Sequence, residues 1–389
     1  MRAGGAGGDG TAVPVVVGTP GDRRVTLYAA ALRAAGLPEP VVVPWRDVLA
    51  GRPPRLPAGA RVRIDSPGED AACDELLRGP GPATRVGGGA AWHAAFVRGL
   101  ERVRQAVAAT PGARLLADVD DIAVLFDKRR CHERLSAAGV PVPPALPGPI
   151  GGYADLRRAM AEAGWTRVFV KPAHGSSASG VVALQVHGGR VRAETSVELV
   201  ARRSPVAEAS VGHGGGRPPA VEMHNSLRVR VYEDEGDVAA IIDALAPDGV
   251  HVETWFPKAG IDAMVFDLRV VVIGGRPTHA VVRASRTPMT NLHLGGIRGD
   301  LDRVRARLGA EGWRRAMEVA ARAAACFPGT PMTGIDLMVG VGWRRLAVAE
   351  ANAFGDLLPR VTGLPGSGAE GLDTYAAQVA HHMAEGTLR

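Results

Sequence analysis

The chain has 389 residues, with 46 Lys plus Arg against 40 Asp plus Glu, a formal net charge of +6 and a pI of about 9.7. The surplus does not indicate a nucleic-acid binder: aromatics are only 4%, and the arginines are scattered among acids, as around Glu101 and Asp300, with no stacking set between them. No apolar run approaches the ~18 residues of a membrane helix, and the distant cysteines Cys73, Cys131 and Cys326 offer neither a Cys-x-x-Cys zinc site nor a disulfide framework, which fits a reducing, cytoplasmic setting.

At roughly 150 residues per domain the length predicts two or three domains. Residues 1–12 are Gly- and Ala-rich and read as a disordered tail. Residues 12–18 form an apolar strand, 23–35 a helix stopped at Gly36, and 41–43 a second strand. This is a β-α-β unit and implies a parallel sheet. A third strand at 61–65 runs into the acidic turn Asp65 to Asp70. That turn is a substrate-site candidate by its place at a strand's C-terminal end, and is equally explained by Ser66 capping a helix with Pro67 in its first position. Gly87 to Gly89 open a helix through Trp92, Phe96 and Val103. A further helix from Asp127 ends at Gly139, and the Pro-rich stretch 140–144 reads as a domain junction.

Residues 168–172 form a strand with Lys171 at its end, followed by the small-residue loop Ala173 to Gly180 and a returning strand at 181–184. A lysine before such a loop is what a phosphate cradle needs: the amine neutralises charge and small residues let backbone N–H groups approach the oxygens. Strands are expected at about 196–201, 226–233 and 238–245, with a Gly/Pro-rich loop at 213–219. More strands follow at 250–256, 265–273 and 278–284, then a helix over 303–327 and a last helix over 371–383.

Only three of the basic residues are lysines: Lys128, Lys171 and Lys258. Where arginine serves for generic charge, a lysine marks a place where a compact point charge is needed. Lys128 and Lys171 are therefore read as phosphate ligands, while Lys258 alone is read as chance survival. Two apolar runs, 334–339 and 346–352, flank a Gly-containing turn and form a hairpin. With the turn centred on Trp343, Asp336 lies opposite Glu350, and Asn352 points to the same side. Opposed carboxylates repel, so this set either is solvated or holds a hard cation such as Mg²⁺.

Together these residues resemble the ATP-grasp superfamily over roughly residues 118–360, closest to its RimK-like branch. The resemblance rests on Asp127-Lys128, Lys171-Pro-x-x-Gly-Ser-x-x-x-Gly180, Asp267-Leu-Arg269, Asn291-Leu-His-x-Gly-Gly296, Gly334-Ile-Asp336 and Glu350-x-Asn352, in family order. It implies an α/β protein: an N-terminal βαβ pre-ATP-grasp domain at 13–120, then a two-lobed α+β ATP-grasp fold. The small lobe with the phosphate loop is expected at 121–250, and the large lobe with the metal site at 251–389.

The same resemblance implies roles. Lys128 and Lys171 would bind ATP phosphates, with Gly175, Ser176, Ser177 and Gly180 closing over them. Glu253 would meet the adenine amino group beside the Trp255 backbone. Asp336, Glu350 and Asn352 would hold one or two Mg²⁺, Mn²⁺ being an alternative. Arg269, Arg283 and Asn291 would stabilise the transferred group. The acid expected at the ribose has no clear match; Lys258, Gly260 and Asp262 lie near its place. The implied activity is ADP-forming carboxylate–amine ligation through an acyl-phosphate, on small-molecule carboxylate and amine substrates such as an amino acid or small peptide. No nucleic acid or membrane partner is expected, and a homodimer is left open. A kinase on this fold and a non-catalytic ATP-binding partner are the alternatives.

Overall fold

The computed structural model describes residues 12–175, 178–201 and 221–388. The expected tail up to residue 11, Ser176, Ser177 and the loop at 213–219 lie outside the described residues.

The front of the chain forms a parallel sheet in the order β2-β1-β3-β4, from β1 (Val13–Gly18), β2 (Val41–Pro44), β3 (Ala60–Ile64) and β4 (Arg114–Leu115). Helices α1 (Arg23–Ala34), α2 (Trp45–Leu49), α3 (Ala71–Arg78) and α4 (Gly89–Ala109) connect these strands. The expected cap at Ser66 is displaced. Helix α3 starts at Ala71, and Asp70 caps it by accepting from the Cys73 amide at 2.7 Å. Asp65 is also spent structurally: it is buried and takes two hydrogen bonds from Arg63 at 3.0 and 3.2 Å.

Helices α5 (Val119–Leu125) and α6 (Lys128–Ala137) pack into the apolar core shared by the front sheet and the large sheet, through Ile122, Cys131 and Leu135. Helix α7 (Tyr153–Glu162) then begins a separate core. It packs with α8 (Glu235–Leu245) on an antiparallel sheet ordered β8-β7-β6-β5-β9: β5 (Arg167–Pro172), β6 (Val182–His187), β7 (Arg190–Ala201), β8 (Val221–Tyr232) and β9 (Val250–Thr254). Two boundaries of the sequence reading move accordingly. Residues 121–140 bury their apolar side chains in the other core, touching the small lobe through the Lys128 amide on the Ala173 carbonyl at 2.9 Å, and 250–254 is hydrogen-bonded into that lobe, with Lys171 paired to His251.

The large sheet is antiparallel and runs β13-β12-β11-β14-β15, with β10 (Gly260–Ile261) also on β11. Its members are β11 (Met264–Ile273), β12 (Arg276–Ser285), β13 (Ile297–Gly299), β14 (Met332–Val339) and β15 (Leu346–Asn352). Helix α9 (Leu301–Ala325), kinked at Gly309, covers one face. The last helix, α10 (Thr374–Ala384), returns to pack on α1. None of the helices among the described residues is long and apolar enough to cross a membrane.

The expected strand at 238–245 is helix. Val238, Ile241, Ile242 and Leu245 are buried at spacings of three and four, one face of a helix, and Asp234 caps it by accepting from the Asp237 amide at 3.0 Å. Asp234→Ala should cost about 1 kcal/mol. Amide exchange at 238–245 should quicken about fivefold; unchanged exchange would show that the cap contributes nothing.

Candidate active site

Four strands of the large sheet set charged residues on one face. Arg269 of β11 is the direct partner of Asp336 on β14, and Asp336 is the partner of Glu350 on β15. Two residues along β11, hence on the same face, Asp267 is partnered by Arg283 of β12. The side chains close a lattice of alternating sign. Arg269 Nε lies 2.5 Å from Asp336 Oδ1, Arg283 Nη2 2.9 Å from Asp336 Oδ2, and Arg283 Nε donates to Asp267 Oδ1 at 2.8 Å. Asp267, Arg283 and Asp336 are buried. Each buried carboxylate therefore has a guanidinium, without which its burial would be strongly destabilising.

The pairing of Asp336 with Glu350 depends on a bulge. The hairpin closes with Val339 opposite Leu346, a register that, if continued, would set Asp336 against Ala349. An extra residue on β15 after Val348 shifts the pairing by one. Glu350 then faces Asp336, and the Ala349 carbonyl accepts from Lys171 Nζ at 3.3 Å.

The two lysines come from the other side. Asp127 caps α6, accepting from the Arg129 amide at 3.0 Å, so that Lys128 is the first helical residue. Its amine donates to Glu350 Oε1 at 2.6 Å and to the Gly175 carbonyl at 2.5 Å. Lys171, near the end of β5, places its amine 2.5 Å from Glu253 Oε1. Gly180 closes the phosphate-loop candidate at φ +71°, where a Cβ would also lie 2.8 Å from the Pro172 side chain. At Gly334 a Cβ would lie 2.9 Å from the Gly355 carbonyl and 3.1 Å from Arg269 Nη1, so glycine there admits the loop that follows β15.

Electrostatics follow the pairing. Burial pushes Asp336 above the usual carboxylate range, against Arg269 and Arg283. Burial also opposes ionisation of Glu350, but Lys128, joined by Lys171 and Arg269, holds the carboxyl low. Asp267 is held low by Arg283 and Lys258 despite its burial. Glu253 is likewise buried, yet Lys171 and then His251 bring it down to about 2.

The structure thus gathers Lys128, Lys171, Gly175, Glu253, Arg269, Arg283, Asp336 and Glu350. The Glu253 carboxylate is engaged by Lys171 and, at 3.2 Å, by His251 Nε2. Asn291 caps a short 3₁₀ turn, accepting from the His293 amide at 2.8 Å, beside the lattice rather than within it. The Trp255 amide donates to the Arg167 carbonyl at 3.1 Å, and its ring is covered by the Arg167 guanidinium. Among the candidates for the ribose position, Asp262 is exposed and paired with Arg303.

The donor set fits a hard divalent cation. Asp336 and Glu350 are paired across the sheet, and Asn352 donates its amide nitrogen to the Gly334 carbonyl at 3.1 Å, which leaves the amide oxygen as its free donor atom. Among the described residues there is no group of three or more His, Cys, Asp or Glu able to hold a metal alone. Two carboxylates completed by substrate oxygens is the pattern that Mg²⁺ accepts.

The sequence reading overlooked Asp356, 3.6 Å from Arg269, and dismissed Lys258. Lys258 Nζ donates to Thr290 at 3.0 Å and lies 3.8 Å from Asp267; burial lowers its pKa to about 8, against Asp267. The scarcity of lysine was the available signal.

Because Glu253 falls from an ordinary 4.5 to about 2 in the fold, its ionised form contributes stability above pH 4.5 that is lost as pH drops toward 2. Glu253→Gln should be less stable than wild type at pH 7, and the gap in urea midpoint should narrow below about pH 4.5. A gap that stayed constant down to pH 3 would contradict the Lys171 pairing.

Protein-family models and curated protein sequences give no match to the chain. Solved structures do match. D-cycloserine synthetase DcsG is 16% identical with a TM-score of 0.54, over 96% of this chain and 99% of that one. The ADP complex of purK, N5-carboxyaminoimidazole ribonucleotide synthetase, is 11% identical with a TM-score of 0.54, over 96% and 76%. The ATP-grasp ligase PsnB, complexed with a precursor peptide and AMPPNP, is 19% identical over 97% and 98%, with a looser TM-score of 0.46. Over nearly its whole length the chain has the ATP-grasp fold.

Proposed function

We propose that the protein is an ADP-forming carboxylate–amine ligase of the RimK-like kind, acting on an amino acid or small peptide. One observation carries this reading: Lys128 and Lys171 converge on the β15 segment that bears Glu350, opposite Asp336. Cations for a triphosphate and carboxylates for its metal thus share one site, in a fold whose solved members include nucleotide complexes.

A carboxylate is a poor electrophile near neutral pH. Transfer of a γ-phosphoryl group to it makes an acyl-phosphate with phosphate as leaving group, which an amine then attacks. The protein's part is positioning and charge stabilisation. Lys128 and Lys171 bind phosphate oxygens, and Gly175 to Gly180 let backbone N–H groups approach them. Mg²⁺ held by Asp336, Glu350 and Asn352 would neutralise phosphate charge. Arg269 and Arg283 are held rigidly by their acids, so their remaining donors are preorganised toward the transferred group.

The test is ADP release screened over amino-acid pairs, with mass spectrometry of the product. Release should require both an acid and an amine and yield a product joined by loss of water. Lys171→Ala and Asp336→Asn should each lower kcat by roughly a hundredfold or more. Near-normal turnover by either would overturn the assignment, and a stable phosphorylated product with no amine requirement would identify a kinase instead.

A further inference from the structure

We propose that Lys258 is a positioning residue for the loop that carries Asn291, acting through the Thr290 hydroxyl. The inference rests on the ligase reading above.

Lysine is rare in this chain, and the other two lysines both lie in the candidate site. The third has only 9% of its side chain exposed. Its backbone is anchored to the hairpin that presents Asp336 and Glu350. Lys258 bridges Gly340, the Ala259 amide donates to the Val339 carbonyl at 2.7 Å, and the Val341 amide donates to the Pro257 carbonyl at 2.9 Å. From that anchor the amine reaches across to Thr290, the residue before Asn291.

Thr290 is buried, and its hydroxyl donates to Asp267 Oδ2, while Arg283 occupies Oδ1 of the same carboxylate. Arg283 in turn holds Asp336. One unbroken run of polar contacts therefore joins the hairpin turn, the Asn291 loop and the central carboxylate. The pocket offers the amine one hydroxyl and one carboxylate. An ammonium on a flexible stem suits that, whereas a planar guanidinium would bring five donors in a fixed fork and leave several unpaired. In a chain that uses arginine nearly everywhere else, this accounts for lysine at 258.

The test compares Lys258→Arg, Lys258→Met and Thr290→Val on the substrate pair that wild type turns over. Each should lower kcat at least tenfold, with the KM for ATP and the calorimetric affinity for AMPPNP within about twofold of wild type. The Lys258→Met/Thr290→Val double variant should lose less than the sum of the two single losses, since each single variant already removes the shared Lys258–Thr290 bond. Amide exchange at 286–296, which needs no substrate, should quicken at least tenfold in Thr290→Val and Lys258→Met. Wild-type kcat in Lys258→Arg, additive losses in the double variant, or unchanged exchange would each overturn the inference. So would a raised KM for ATP at constant kcat, which would make Lys258 a nucleotide contact. If wild type turns over no pair, the ligase reading fails, and the exchange result still decides the positioning role.

Discussion

A carboxylate in the middle of a fully buried strand is the constraint around which this molecule is arranged. Asp336 sits on β14, whose eight residues are all buried, between β11 and β15. Its charge is tolerable only because Arg269 and Arg283 reach it from β11 and β12. Removing one partner from such a buried set typically costs about 3–5 kcal/mol. The pairing of the large sheet thus fixes the geometry of the charges, and the charges in turn penalise any slip in register, which would leave one of them unpaired.

The same lattice fixes where the rest of the chain attaches. Glu350 receives Lys128 from the first turn of α6, and the Ala349 carbonyl exposed by the bulge receives Lys171 from the small lobe. On the opposite side, Arg24 of the front domain donates to the Phe354 carbonyl at 3.2 Å and lies 3.7 Å from Asp65. The loop after β15 is therefore held between the front domain and Arg269, which Asp356 approaches at 3.6 Å. Front domain, small lobe and α6 each touch the segment 349–356, so movement of any one is felt where phosphate and metal would lie.

Much of this was legible in sequence because its signals are local. Period-two apolar runs mark β11, β12, β14 and β15, and the Asp336–Glu350 pairing follows from a turn centred on Trp343. The pairing is correct although the hairpin closes one residue earlier, because the bulge makes up the difference. What could not be read is non-local or ambiguous. The run Val238-Ala-Ala-Ile-Ile242 suits either a buried strand or a helix face, and the cap at Asp234 was the cue that settles it. That β9 pairs with β5 across some eighty residues of chain, or that Glu253 turns to Lys171, is set by tertiary packing, and neither leaves a trace in local spacing.

The division of labour between the two kinds of cation follows from their chemistry. Arg269 and Arg283 grip two acids with planar forks and hold them in register, a role that rewards rigidity. Lys128 and Lys171 each rest on a glutamate through a single rotatable ammonium, an arrangement that can exchange one anionic partner for another at little steric cost. Glu253, held near 2, stays ionised through the physiological range and holds the Lys171 amine at 2.5 Å. Glu350 likewise holds the Lys128 amine, at 2.6 Å, while standing opposite Asp336. In the ligase reading proposed above, a triphosphate could therefore take these two amines from the glutamates, whereas Lys258 keeps its partners Thr290 and Asp267.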